Sequence, residues 1–125
     1  MSSESANVVI DSDTSNNIIV ATYKNVIKKE DFQVFYDLLE KAHNQFGDIR
    51  VLVYFDDSFK GWEKDAAELN FKSVSEYVKH ATHLAYVNPD PHKMLQMKIA
   101  SPLVKGELRF FNTEDYEKAL NWIKE

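Results

Sequence analysis

The chain predicts an α/β layer fold with a mostly parallel sheet of four to five strands and about four helices. Two observations carry that prediction. Short β-rich runs alternate with helical periodicities along the chain, which implies right-handed crossovers and parallel pairing. The central run Val51-Leu52-Val53-Tyr54-Phe55 is unbroken rather than alternating, as expected of a strand covered on both faces.

The elements follow in order. Asn7 to Asp11 and Asn17 to Lys24 read as strands joined by the polar turn Ser12-Asp13-Thr14-Ser15-Asn16, so the first strand is antiparallel at an edge. Glu30 and Asp31 place negative charge at the positive end of a helix dipole. Phe35, Leu38, Leu39, Ala42 and Phe46 follow at helical spacing, and Gly47 stops the helix. Ile49 to Asp56 is the next strand. A second helix is expected from about Glu63 to Ala81, with Ala67, Phe71, Val74, Val78 and Ala81 on one stripe. Leu84 to Val87 is a short strand. Asn88-Pro89-Asp90-Pro91 then supplies a turn, an N-cap at Asp90 and a proline at the first helical position. The third helix carries Met94, Leu95, Met97 and Ile99 and is disturbed at Pro102. Glu107 to Phe111 is a strand. After Thr113, Tyr116, Ala119, Leu120 and Ile123 form the apolar face of a last helix. The order is ββαβαβαβα, in one domain over residues 7–125 behind a poorly ordered polar start, residues 1–6.

Composition narrows the function classes. The 125 residues suffice for one core, and 44% hydrophobic with 28% charged residues is ordinary for a globular chain. A net charge of −5, with basic residues clustered no further than pairs such as Lys28-Lys29, argues against nucleic acid as a partner. With 0 cysteines, disulfides, thiolate metal sites and a cysteine nucleophile are excluded. The start shows no secretory pattern and the longest apolar run is too short to span a bilayer, so the expected location is cytoplasmic, with peripheral attachment to a membrane left open.

Several stretches, in this order, resemble the SpoIIAA-like family, relatives of the STAS domain. They are Val51 to Phe55, Phe59-Lys60-Gly61-Trp62, Leu84-Ala85-Tyr86-Val87, Ala100-Ser101-Pro102-Leu103, Glu107-Leu108-Arg109-Phe110-Phe111 and Ala119-Leu120-Asn121-Trp122-Ile123. The resemblance covers the chain from about Asn7 onward. It implies a β-α superhelix similar to CRAL-TRIO lipid-binding domains, with hydrophobic ligands or membranes as suspected partners. It further implies that helices after the central strands open and close over an apolar cavity. In the related anti-sigma antagonists a serine at the start of the helix after the third strand is phosphorylated. Ser58 lies in the comparable region but continues as Phe-Lys-Gly-Trp instead of the Asp-Ser-Ser-Gly context.

Candidate site residues divide accordingly. Phe59 and Trp62 serve either as core plugs or as a lid or membrane wedge, with Gly61 as the joint between them. The second helix has more apolar surface than one sheet requires. Trp62, Ala66, Leu69 and Tyr77 lie beside its stripe, facing another helix, a dimer partner or a greasy ligand. Met94 and Met97 suit an adaptable pocket and an ordinary core equally well. Asp56 and Asp57 follow the central strand, where hard oxygen ligands hold Mg²⁺, but adjacent residues of an extended chain point to opposite faces, which favours turn and capping work. His43, His80, His83 and His92 form no metal-ligand pattern.

The leading expectation is a non-enzymatic domain that binds a lipid or other apolar small molecule, without a cofactor, through Phe59, Gly61, Trp62, Ala66, Leu69, Tyr77, Met94 and Met97. The alternative is a STAS-type regulatory module with a protein partner, a homodimer included, and regulation at Ser58. A metal-dependent enzyme using Asp56 or Asp57 is the remotest.

Overall fold

The computed structural model describes residues 7–125; the expectation of a disordered start falls on residues 1–6, outside the described part. The strands are β1 (Val8–Ile10), β2 (Ile18–Tyr23), β3 (Val26–Ile27), β4 (Ile49–Phe55), β5 (Gly61–Trp62), β6 (Ala81–Val87) and β7 (Glu107–Phe111). The helices are α1 (Lys29–Phe46), α2 (Lys64–Tyr77), α3 (Pro91–Ala100) and α4 (Tyr116–Lys124). Five strands form one sheet in the order β1-β2-β4-β6-β7. β1 is antiparallel to β2 at the edge, as its short polar turn requires, and the other pairs are parallel. β4 lies in the middle, which explains its unbroken run: Val51 and Val53 meet one core and Leu52 the other.

The helices cover the sheet unequally. α1, α2 and α3 lie over the face that carries Tyr23, Val53, Phe55 and Tyr86, whereas α4 alone covers Val20, Leu52, Ala85 and Val87. Their boundaries follow the local chemistry. Asp31 Oδ2 accepts from the Lys28 amide at 3.0 Å and from Asn7 Nδ2 at 2.9 Å, tying the start of α1 to the edge of the sheet. Gly47, at φ 83°, ends α1 and donates to the His43 carbonyl at 2.8 Å. Asp90 caps α3 by accepting from the Lys93 amide at 3.0 Å, with Pro91 leading the helix. A 3₁₀ turn over Ser101–Leu103, with Pro102 inside it, terminates α3.

Three features differ from the sequence expectation. β3 and β5 form an additional two-stranded parallel ladder, Val26 with Gly61 and Ile27 with Trp62, beside the main sheet. Runs of two residues carry no periodicity from which they could be read. α2 stops at Tyr77, gives way to a 3₁₀ turn over Val78–His80, and leaves Ala81 to open β6, three residues before the expected strand. The stripe on α2 holds only in its second half. Its buried residues are Ala66, Asn70, Ser73 and Tyr77, while Ala67 is exposed and Phe71 is 65% exposed. Hydrophobicity misplaced the first half of the stripe, where the inward face carries an amide and a hydroxyl and the outward face a phenylalanine, whereas Val74 is half-buried and Val78 and Ala81 are buried as expected.

Candidate functional site

Beneath α2, between α1 and the 97–100 end of α3, the core leaves a cavity of about 40 Å³. Its walls include Tyr23 of β2, Phe35 and Leu39 of α1, Val51 and Val53 of β4, Val74 and Tyr77 of α2, Leu84 and Tyr86 of β6, and Met97 of α3. Asn70 and Ser73 bring the polar groups of α2 to the same space. Ser73 Oγ donates to the Asn70 carbonyl at 2.7 Å, a contact within its own helix. A void of this size holds a few waters and no long chain, so an extended apolar guest requires movement of a wall.

At the carboxyl end of the sheet, an aromatic cluster closes the core next to this cavity. Tyr23 is its hub, in edge-to-face contact with Phe55 and Trp62 at 5.2 Å each and with Phe35 at 6.0 Å. Phe59 stands edge-on to Phe55 at 5.0 Å, and Trp62 to Phe32 at 5.4 Å. Both Phe59 and Trp62 are half-buried and packed against the core. Gly61 holds φ 130°, a region costly for side-chain-bearing residues, and this turns the chain from the Asp56–Lys60 loop into β5. Burial pushes the Tyr86 phenol up, and burial followed by the nearby Tyr86 does the same for Tyr23.

One residue that hydrophobic periodicity passed over stands between the cluster and the cavity. Lys93, in the first turn of α3, is 4% exposed. Its Nζ donates to Gln96 Oε1 at 2.7 Å and to Asn70 Oδ1 at 3.3 Å, and lies 5.8 Å from the Trp62 ring centroid and 5.7 Å from that of Tyr86. Among the described residues no carboxylate comes within 4.0 Å of it. Burial pushes its amine down to about 7, with the Asp90 carboxylate opposing the effect. The available signal was phase: counting from the Asp90 cap, positions 93, 97 and 100 form the inward face of α3, and all three are buried.

The other sequence candidates separate. Tyr77 and Met97 line the cavity and Ala66 is fully buried in the same core. Leu69 is half-buried against that core. Met94 instead lines a surface recess with Pro89 and Phe110. Asp56 Oδ2 accepts from the Ser58 amide at 3.0 Å and from Ser58 Oγ at 2.6 Å, bonds that hold the Asp56 carboxyl below its ordinary value. Asp57 Oδ1 accepts from Asn88 Nδ2 at 3.2 Å, and the same amide donates to the Phe55 carbonyl at 2.8 Å. These acids therefore shape the loops at the ends of β4 and β6, and among the described residues no group of three acidic or histidine side chains is arranged to hold a metal. No helix among the described residues is long and apolar enough to cross a membrane. His43 and His80 stack at 3.9 Å near the far end of α1, away from the cluster.

Comparison with known proteins agrees with this architecture. A crystal structure of an uncharacterised protein of the DUF3478 family with a SpoIIAA-like fold, from Shewanella loihica, is 23% identical, with a TM-score of 0.71 and 98% of each chain covered. The phosphorylated form of the Bacillus cell-fate determinant SpoIIAA is 14% identical, with a TM-score of 0.53, covering 89% of this chain and 96% of the other. No curated protein matches. The SpoIIAA-like family model matches residues 18–124, nearly the whole of the described fold, and the chain belongs to the SpoIIAA-like family.

Proposed function

We propose that this domain is a non-enzymatic binding module that takes an apolar or amphipathic small molecule between α2, α3 and the sheet. One observation carries the reading: the apolar cavity lies against two helices that mix buried polar side chains with exposed large apolar ones. Asn70, Ser73 and Lys93 point inward, while Phe71, Leu95 and Ile99 are exposed, Ile99 to 72%. α3 is the natural moving wall. It buries only Lys93, Met97 and Ala100, and prolines mark both of its ends, Pro91 at its start and Pro102 just beyond it. Closing about 300 Å² of apolar surface on a guest contributes roughly 7 kcal/mol before ordering costs, an upper bound equivalent to a Kd on the order of 10 μM that those costs weaken.

The test is a titration of the isotope-labelled protein with octan-1-ol, a neutral amphiphile, followed by amide chemical shifts. Saturable shifts at Asn70, Val74, Tyr77 and Met97 are expected. Shifts scattered over the surface, or none, would refute the reading. The regulatory-module alternative is favoured by the position of Ser58 in the loop after β4, within the fold shared with SpoIIAA. It predicts that Ser58→Asp alters self-association in sedimentation, whereas the ligand-binding reading predicts no change.

A further inference from the structure

We infer that Lys93 is the headgroup anchor of this pocket and that its ligand carries one negative charge, a carboxylate on an apolar chain. The inference rests on the ligand-binding reading and adds the chemistry of the head.

The argument begins with what surrounds the amine. A buried ammonium normally has a counter-charge, because desolvation without one is costly. Lys93 Nζ instead has two amide oxygens, Gln96 at 2.7 Å and Asn70 at 3.3 Å, and two ring faces, Trp62 and Tyr86. Each offers partial negative charge, which orients a cation without neutralising it. The nearest acid on its own helix, Asp90, is committed to the helix cap through the Lys93 amide. The site is thus organised for an ammonium and, among the described residues, is one anion short.

Asn70 joins this amine to the cavity, since its side chain accepts from Lys93 and it also lines the apolar space. An amphiphile whose chain enters between Val74, Tyr77 and Met97 would place its head near Lys93. The charge count selects the head. One lysine balances one carboxylate. A phosphate monoester carries between one and two charges near neutral pH, and among the described residues no arginine or second lysine forms a hydrogen bond or ring contact with this cluster that could balance the excess.

The experiment compares octanoate, octan-1-ol and octyl phosphate on the wild-type protein and on Lys93→Met, by calorimetry near neutral pH. Octanoate is expected to bind at least about tenfold more tightly than octan-1-ol to the wild type, and octyl phosphate more weakly than octanoate. Lys93→Met should erase the preference for octanoate while octan-1-ol still binds, which also shows that the pocket remains formed. Equal binding of acid and alcohol by the wild type overturns the anchor while leaving the pocket standing. So does a preference that survives Lys93→Met. Octyl phosphate binding as tightly as octanoate overturns the single-charge assignment, and binding of none of the three overturns both the anchor and the pocket.

Discussion

Lys93→Met should stabilise this protein at acid pH and lose that advantage as the pH rises. Methionine, one atom shorter, fills most of the same space beside Trp62 and Tyr86 without a charge. The folded amine titrates near 7 against an ordinary 10.5. At about 1.4 kcal/mol per pH unit, that gap corresponds to a burial cost of roughly 5 kcal/mol. The sign follows from proton counting. Below about pH 7 Lys93 is protonated in both folded and unfolded chains, and the full cost is present. Between about pH 7 and 10.5 the unfolded chain holds a proton that the folded one lacks, so wild-type stability rises with pH through that window. Against this, the variant forfeits hydrogen bonds to Gln96 and Asn70 and leaves a buried amide oxygen unpaired, at about 1 to 2 kcal/mol each. The net expectation is a gain of roughly 2 kcal/mol at about pH 6, shrinking to zero and then reversing above about pH 8. Urea unfolding of both proteins at several pH values between about 6 and 9 measures the difference directly, because groups common to both cancel. A difference that stays constant across that range would refute the reasoning: Lys93 would then be charged in the folded protein throughout.

Further outcomes follow from other positions. Burial first, then the stacked His43, depresses His80 below its ordinary 6.5. Stability should therefore fall as the pH drops from 6.5 towards the folded value, and His80→Gln should flatten that fall in thermal melts. A Cβ at Gly106 would lie 2.0 Å from the Thr82 carbonyl oxygen, so Gly106→Ala must push β6 and the start of β7 apart; a loss of about 2 kcal/mol or more is expected in chemical denaturation. Gly61→Ala meets open space but keeps φ near 130°, and should lose about 1 to 2 kcal/mol from backbone strain alone. In hydrogen exchange, amides of α3 should exchange faster than those of β4 and β6, and Lys93→Met should slow exchange in α3 near pH 6; unchanged rates would separate the lysine from the mobility of the helix.

The parts of the fold that could be read from the chain are those fixed by local chemistry. Gly47 ends α1 because it alone readily takes the left-handed turn, and Asp90 with Pro91 starts α3 because one supplies an acceptor and the other needs no donor. Val51 to Phe55 announces a central strand because both faces are apolar. What hydrophobicity could not set was helix phase where apolar and polar residues exchange sides. On α2 it selected Ala67 and Phe71, which are exposed, over Asn70 and Ser73, which are buried. On α3 it selected Met94, Leu95 and Ile99 along with Met97, and passed over Lys93. The candidate site was legible in part. Tyr77 and Met97 line the cavity, Phe59 and Trp62 stand in the adjoining aromatic cluster, and the buried polar residues Asn70, Ser73 and Lys93 escaped notice because their residue types are those of a surface.

That inversion is itself the strongest physical clue the molecule offers. The buried polar side chains of the described residues are Asn70, Ser73 and Lys93, all of them on α2 and α3; α1 and α4 bury only apolar and aromatic residues. Replacing each of the three by leucine or methionine would suit a core that had only to hold together, and turning Phe71, Leu95 and Ile99 inward would suit it further. A sequence that buries polar side chains on two neighbouring helices, and on no other helix among the described residues, sacrifices packing energy at one place. Local conflict of this kind accumulates where a protein must do something other than fold. Here it brings Asn70 and Ser73 to a cavity, with Asn70 bonded to an amine that has no carboxylate within 4.0 Å among the described residues. Mere tolerance of poor packing would scatter such residues among all four helices, whereas here they collect on two of the three helices that line the cavity.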